Sequence, residues 1–422
     1  MASSPRTVVL IYQRTSLPWV FESAHRAGIR VVLVPRPDEE VSEARLPQAV
    51  SEVLRLDIDG DPEGALATLA AFSRTTPFHG ITTLYDPAVP FVAEAARRLG
   101  LPGIGVDAAR AAQDKRIMRA RLADAGLNVP GYVALDGPDS WADAAHLDFP
   151  AVVKPARGFS SLGVTKVEDA QSLRGVVEEV WRISQDKLAP GGGLVVEEYL
   201  DGPELAVESL AYRGEVRVLS IGYKGEPKGP HFEEGVYRAP ADLPSEVAAA
   251  VRREVVAAHA ALGVTDGPAH TELRLRGGRH PYLLEMGARV GGSGASHYVA
   301  AHVSGVDLAA DALRIAVGLA PESFAPDAPR PAGAAAANYI VPCGGSGRIV
   351  SVDGLDEVRA DPRVDHVVQM LFPGDVVRDY PDFTGYPAFV LSRHPSTRDA
   401  EEFHQWLEST VRLTFEVEGT AR

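Results

Sequence analysis

Short apolar runs alternate with amphipathic stretches through the first hundred residues. Thr7–Tyr12, Arg30–Val34 and Gly80–Leu84 (GITTL) read as short buried strands. Pro18–Ala27 and Val89–Leu99 suit helices, stopped by Gly28 and Gly100. This strand–helix rhythm predicts a parallel sheet. No G-x-G-x-x-G follows the first strand, so a dinucleotide site has no support.

Further on, Asp107 is a good N-cap for a helix running to Ala125, with Gly126 as its stop. Pro150–Lys154 (PAVVK) reads as a strand, Arg157–Gly163 as a small-residue loop and Asp169–Ile183 as a helix. After the Gly191–Gly193 break come a strand at Leu194–Glu198 and a hairpin, Leu205–Tyr212 and Glu215–Ile221, around Arg213-Gly214. Residues 222–244 form a long polar loop, a length usually reserved for function. Val247, Val251, Val255, Ala258 and Leu262 recur at helical spacing before Gly263. Strands at Ala269–Leu275 and Pro281–Met286 flank Arg276-Gly277-Gly278-Arg279. A helix at Val306–Val317 precedes a Pro/Ala-rich linker candidate, 320–337. The tail shows strands at Asn338–Val341, Val364–Leu371 and Ala388–Ser392 and a helix at Asp399–Arg412.

Composition narrows the function classes. The chain has 422 residues, 45% hydrophobic and 23% charged, enough for several domains. Its formal charge is −15, which argues against non-specific nucleic-acid binding and against anionic membranes. Cys343 is the single cysteine, so no intrachain disulfide and no cysteine-rich zinc site exist, and a cytoplasmic location fits. No 18-residue apolar stretch occurs. H-E-x-x-H, G-x-S-x-G and the P-loop pattern are absent.

The chemistry concentrates in four places. On the strand near 270, His270, Glu272 and Arg274 share one face; on the next, Leu283 and Glu285 share a face. Glu272 and Glu285 are expected as diagonal neighbours, close enough to bind one hard cation such as Mg²⁺. The bland alternative is two exposed acids, each with a basic partner. Arg289, inside Gly287-Ala288-Arg289-Val290-Gly291-Gly292, can fork onto a carboxylate or phosphate, or be a surface arginine in a turn. Lys154 ends an apolar strand before a Gly/Ser loop, which suits phosphate contact; a plain strand-end lysine is the alternative. The acids of 197–204 suit an adenine amino group or ribose hydroxyls, or form a solvated turn.

Taken in order, LGLPGIGVDAARAAQDK (99–115), FPAVVKPARGFSSLGV (149–164), VVEEYLDGPELAVESL (195–210), HFEEGVYRAP (231–240) and HTELRLRGGRHPYLLEMGARVGG (270–292) resemble the ATP-grasp superfamily of carboxylate–amine ligases, in particular its L-amino-acid ligase branch. The resemblance implies an α/β fold with α+β lobes. Residues 1–106 would form an N-terminal parallel domain, 107–193 and 194–325 the two lobes of an ATP clamp, and 326–422 a small C-terminal domain. It implies ATP and Mg²⁺ (or Mn²⁺) as cofactors, amino-acid or amine substrates, and a homodimer. Lys115 and Lys154 would contact ATP, and Ser160 and Ser161 would cover its phosphates. Glu197, Glu198, Tyr199 and Leu200 would form the adenine hinge, and Glu204 would hold the ribose. Glu272 and Glu285 would bind magnesium. Arg289, with Lys154 the catalytic pair, would bind the substrate carboxylate. Asp86, Glu234, Tyr237, Gly291 and Gly292 would line the amino-acid pocket. Two departures stand out: Gly287 and Tyr237 occupy positions where many relatives carry asparagine and histidine. The implied reaction is ADP-forming amide synthesis through an acyl phosphate. The product would be a dipeptide or, alternatively, a γ-glutamyl amide; a catalytically silent nucleotide binder is the reading outside the enzyme class.

Overall fold

A computed structural model describes residues 5–42, 45–188, 190–225, 231–232, 235–292, 294–325, 334–382 and 385–416. The N-terminal strands form a parallel sheet in the spatial order Val50–Val53, Arg30–Val34, Thr7–Ile11, Gly80–Thr83. Val50–Val53 and the helix Pro62–Thr75 add to the elements expected. One face of the sheet packs on that helix and on Val89–Leu99. The other packs on Trp19–Arg26 and on Leu313, Ala316 and Val317 from the helix Leu308–Ala316 and its end. Gly80 has no side chain because the Ala316 carbonyl oxygen would lie 1.9 Å from a Cβ there.

The helix expected over 107–125 is broken in two, Val106–Gln113 and Lys115–Asp124. Asp114 adopts extended backbone and its carboxylate accepts from Arg116 N–H, capping the second helix. The Lys115 amide instead donates to Ala156 O at 2.8 Å. The break therefore pins Lys115 beside the end of the Ala151–Pro155 strand.

A small antiparallel sheet follows, in the order Tyr132–Leu135, Leu194–Glu198, Ala151–Pro155, Thr165–Val167. The large sheet has eight strands. Its order is His280–Gly287, Gly267–Arg276, Glu204–Tyr212, Glu215–Gly225, Val236–Ala239, Ala335–Ile340, Ala388–His394, Val364–Gln369, every neighbour antiparallel. These pairings run across the divisions expected at 194 and 326. Leu194–Glu198 is an inner strand of the small sheet, and the large sheet runs on into the tail. Pairing between strands far apart in sequence leaves no local signal. The Arg213-Gly214 hairpin is as expected, with φ of 52° and 80°. The polar loop is shorter than expected: Glu215–Gly225 extends into it and Val236–Ala239 is a strand. The candidate linker lies partly outside the described residues, and a strand begins at Ala335.

The helix Ser245–Leu262 lies over the large sheet through Val247, Val251, Val255, Ala258 and Leu262, all buried. Gly263 ends it in the left-handed region at φ 75°. This core fixes the hairpin 267–287 and, through Met118 and Leu122, the helix bearing Lys115.

Candidate active site

One cavity of about 200 Å³ opens where the three regions meet. Its walls gather Asp86, Lys115, Lys154, Ser160, Ser161, Glu197, Glu198, Tyr199, Leu200, Glu204, Tyr237, Glu272, Glu285, Arg289 and Gly292. Gly291 lies behind the wall, and Glu234 lies outside the described residues.

Glu272 and Glu285 are directly opposite each other, not diagonal. A bulge follows, so Leu283 pairs with Leu273 and enters the core while Glu285 keeps facing the cavity. Leu283 and Glu285 therefore do not share a face. Neither acid is the exposed turn residue of the bland reading, with side chains 22% and 28% exposed. Lys224 Nζ donates to Glu272 Oε1 at 2.5 Å, and Lys115 Nζ lies 3.0 Å from Glu285 Oε2. Burial acts to raise the Glu272 pKa, but Lys224 and His270 outweigh it and hold the carboxyl well below the usual range. Among the described residues, no three His, Cys, Asp or Glu side chains form a ready metal cage. Two opposed carboxylates suit Mg²⁺, which keeps waters and takes phosphate oxygens to complete its shell.

The side chain of Glu197 is already engaged. It is 1% exposed, and its Oε2 accepts from Lys154 Nζ at 2.6 Å. Arg119 Nε lies 2.6 Å from the other oxygen, in an ionic contact that is not an aligned hydrogen bond. Burial works to raise the Glu197 pKa, yet the two cations bring it down to about 2. Burial pushes the Lys154 pKa down, with Glu197 opposing. This carboxylate is held by Lys154 and Arg119, and it orients Lys154. Arg119 follows Lys115 by one helical turn, a buried basic position that the sequence displays but sequence reasoning passed over.

Glu204 is likewise paired, accepting from Arg274 Nη2 at 2.9 Å with Lys224 Nζ 3.2 Å away. Arg274 Nη1 also donates to Leu200 O at 2.7 Å. Glu198 meets Arg276 at 3.1 Å, and the Tyr199 ring lies beneath Lys166 and Arg274.

Asp86 and Arg289 meet across the cavity. Arg289 Nε donates to Asp86 Oδ1 at 3.0 Å, and Gln113 Nε2 donates to Asp86 Oδ2 at 2.6 Å. Gly287 is explained by this pair, because a Cβ there would lie 3.1 Å from Asp86 Oδ1. A side chain at 287 would need the Asp86 carboxylate to give way by a few tenths of an ångström.

Behind the wall, buried Glu208 is a hub that sequence reasoning missed. It accepts from His270 Nδ1 at 2.5 Å, from Tyr237 Oη at 3.1 Å, from Gly291 N at 3.3 Å, and from Ser296. Burial opposes charge on His270, but Glu208 overrides it and raises the pKa to about 9. Tyr237 is thus a hydrogen-bond donor to a carboxylate, not a base. A Cβ on Gly291 would lie 2.6 Å from both Glu208 Oε1 and His270 Nδ1. Gly291→Ala is therefore expected to lower stability by about 1–3 kcal/mol. At Gly292 a Cβ meets nothing within 4 Å, so Gly292→Ala should stay within about 0.5 kcal/mol of wild type. Urea unfolding midpoints of the two variants check this.

The parallel domain, the two-lobed cleft and the lysine-carboxylate-arginine site define a nucleotide-dependent ligase of the grasp type. Comparison with known proteins agrees. The ATP-grasp N-terminal domain matches residues 21–103, the ATP-grasp domain 147–297, and the L-amino acid ligase C-terminal domain 2 residues 340–416. An L-amino acid ligase from Bacillus licheniformis superposes with a TM-score of 0.90 at 38% identity, covering 99% of this chain and 100% of that one. A D-alanine–D-alanine ligase from Aromatoleum aromaticum is 36% identical over 50% of this chain and 68% of its own length. Carnosine synthase 1 from Gallus gallus is 29% identical over 75% of this chain and 35% of its own length. The chain belongs to the ATP-grasp superfamily of carboxylate–amine ligases.

Proposed function

We propose that this enzyme joins the carboxylate of one amino acid to the amine of a second substrate, forming ADP, phosphate and a dipeptide. The observation that carries this reading is the convergence of Glu272, Glu285, Lys154 and Arg289 on one cavity. The likeness over full length to an L-amino acid ligase supports amino acids as the substrates. ATP would lie between the lobes, its phosphates against Lys115, Lys154 and the Ser160–Ser161 loop. Magnesium held by Glu272 and Glu285 would neutralise phosphate oxygens.

The substrate carboxylate, drawn to Arg289, attacks the γ-phosphorus, and the bond to ADP breaks. Lys154 balances the charge that moves onto the leaving ADP. The amine then attacks the acyl carbon, Arg289 stabilises the oxyanion, and phosphate departs. Ligand carboxylate or phosphate must displace Asp86 from Arg289, or bind the guanidinium face that Asp86 leaves open. A cytoplasmic setting goes with ATP as substrate; no described helix is long and apolar enough to cross a membrane.

The test is incubation with Mg²⁺-ATP and all pairwise mixtures of amino acids, following phosphate release and product mass together. A product equal to two amino acids less one water, with one phosphate each, is expected. Nucleotide binding with no phosphate release under any pair would overturn the reading. Linkage analysis of the product separates α- from γ-carboxylate activation.

A further inference from the structure

The loop after Lys154 has an unusual backbone. Ser160 and Ser161 both have φ of 54°, a left-handed pair that non-glycine residues adopt at a cost. Gly163 follows at φ 81°, where a Cβ would lie 2.7 Å from Pro155 Cγ. Within the loop, two local backbone bonds close turns, Leu162 N to Phe159 O at 3.2 Å and Val164 N to Ser161 O at 3.0 Å. Two local bonds are a small restraint for two left-handed residues. The remaining restraints come from distant parts of the chain.

On one side, the Phe159 ring meets the edge of Tyr85 at 5.9 Å. Tyr85 precedes Asp86, the partner of Arg289. On the other side, Tyr380 arrives from the tail. Its hydroxyl accepts from the Gly163 amide at 2.8 Å, across 217 residues of sequence. The imidazole of His231 stacks on the Tyr380 ring at 3.6 Å between centroids and 12° between planes. Two residues on, Asp382 pairs with Lys187 at the end of the helix Ala170–Lys187. The tail thus reaches over to the first lobe at two points, at the loop and at the helix end.

We propose that Tyr380 is a positioning residue for the phosphate-covering loop. It ties the Gly163 amide to the tail and holds residues 157–163 over the cavity mouth, so that water is kept from the acyl phosphate. The inference rests on reading that loop as the cover of the nucleotide phosphates. The chemistry is economical: a phenol that accepts one amide hydrogen bond fixes the loop without placing charge beside the phosphates. An acid at position 380 would repel the nucleotide, and an aliphatic residue would leave the amide without its acceptor.

The experiment compares wild type with Tyr380→Phe, which keeps the stack on His231 and removes the acceptor, and with Tyr380→Ala, which removes both. The first readout is hydrogen exchange of the 157–163 amides without nucleotide, which does not depend on activity. Exchange should rise about tenfold in Tyr380→Phe and further in Tyr380→Ala, with the N-terminal sheet unchanged as the control for folding. The second readout is coupling. KM for ATP should rise about three- to tenfold with kcat for phosphate release retained, and phosphate released per dipeptide should exceed one. Unchanged loop exchange in both variants overturns the tether. Faster exchange with one phosphate per dipeptide still released overturns the positioning role. If wild type itself makes no amide, the ligase reading fails on its own, and the exchange data still decide whether the tether holds the loop.

Discussion

Replacing Glu272 or Glu285 by glutamine is expected to lower kcat for ligation by about 10²–10³-fold, or ~3–4 kcal/mol of transition-state stabilisation. Glutamine keeps the volume and removes the negative charge that a hard cation needs. The two positions differ in what each charge faces in the free protein. Glu272 holds Lys224 and contacts His270, whereas Glu285 holds Lys115. Both lysines would then confront a neutral amide. The half-saturating Mg²⁺ concentration should rise with the loss of kcat, and binding of Mn²⁺ to the nucleotide-bound protein, followed by its magnetic resonance, should weaken in parallel. Full ligation at ordinary magnesium by either variant would remove these residues from the metal site. Each glutamine also takes a counter-ion from a lysine whose side chain is only 11% or 7% exposed, so some stability is lost as well. Urea unfolding of each variant, with the assay run where it remains folded, separates the loss of kcat from unfolding.

Glu197→Gln should act in the opposite manner, on the fold first. Arg119 is fully buried, with its guanidinium between Glu197 and the Leu284 carbonyl. Neutralising Glu197 leaves that charge without its counter-ion, a change that costs about 3–5 kcal/mol. Urea unfolding measures it. Activity should fall as well, because Lys154 loses the acceptor that aims it. The pH dependence gives an independent check. The folded pKa, about 2, lies below the ordinary carboxyl value of 4.5. The unfolded chain therefore takes up protons first as pH falls. The stabilisation is complete above pH 4.5, declines as pH drops towards 2, and is absent from the glutamine variant. Wild type and variant should converge in stability over that acid range. Parallel curves would mean that Glu197 does not carry the depressed pKa.

Much of the site was legible because it is written locally. The alternation His270, Glu272, Arg274 on one strand face needs only the two-residue period of a strand, and all three line the cavity. Lys154 at the end of an apolar run and Arg289 among glycines were visible for the same reason. The bulge at Leu284 was not, because register depends on how the hairpin packs on Glu204–Tyr212 and the helix above it. Glu197 and Glu204 stood out as acids near an adenine site, yet their carboxylates are bound to Arg119, Lys154, Arg274 and Lys224. Acidity is a property of one residue; a partner 20 to 78 positions away is a property of the fold.

By itself, the sequence determined most of the elements, though not the strand Val50–Val53, the helix Pro62–Thr75 or the break at Asp114, together with the order of the family's segments and the residue types available for phosphate, metal and carboxylate. These follow from periodicity, capping and side-chain chemistry, which act over a few residues. The tertiary structure alone decided which acid faces a ligand and which serves a buried cation. It also joined the tail strands to the large sheet, assembled the Glu208 hub, set Gly287 close against Asp86, and brought Tyr380 to the Gly163 amide. Those outcomes depend on burial and on pairing across long sequence separations, where desolvation and ion pairing set each group's role.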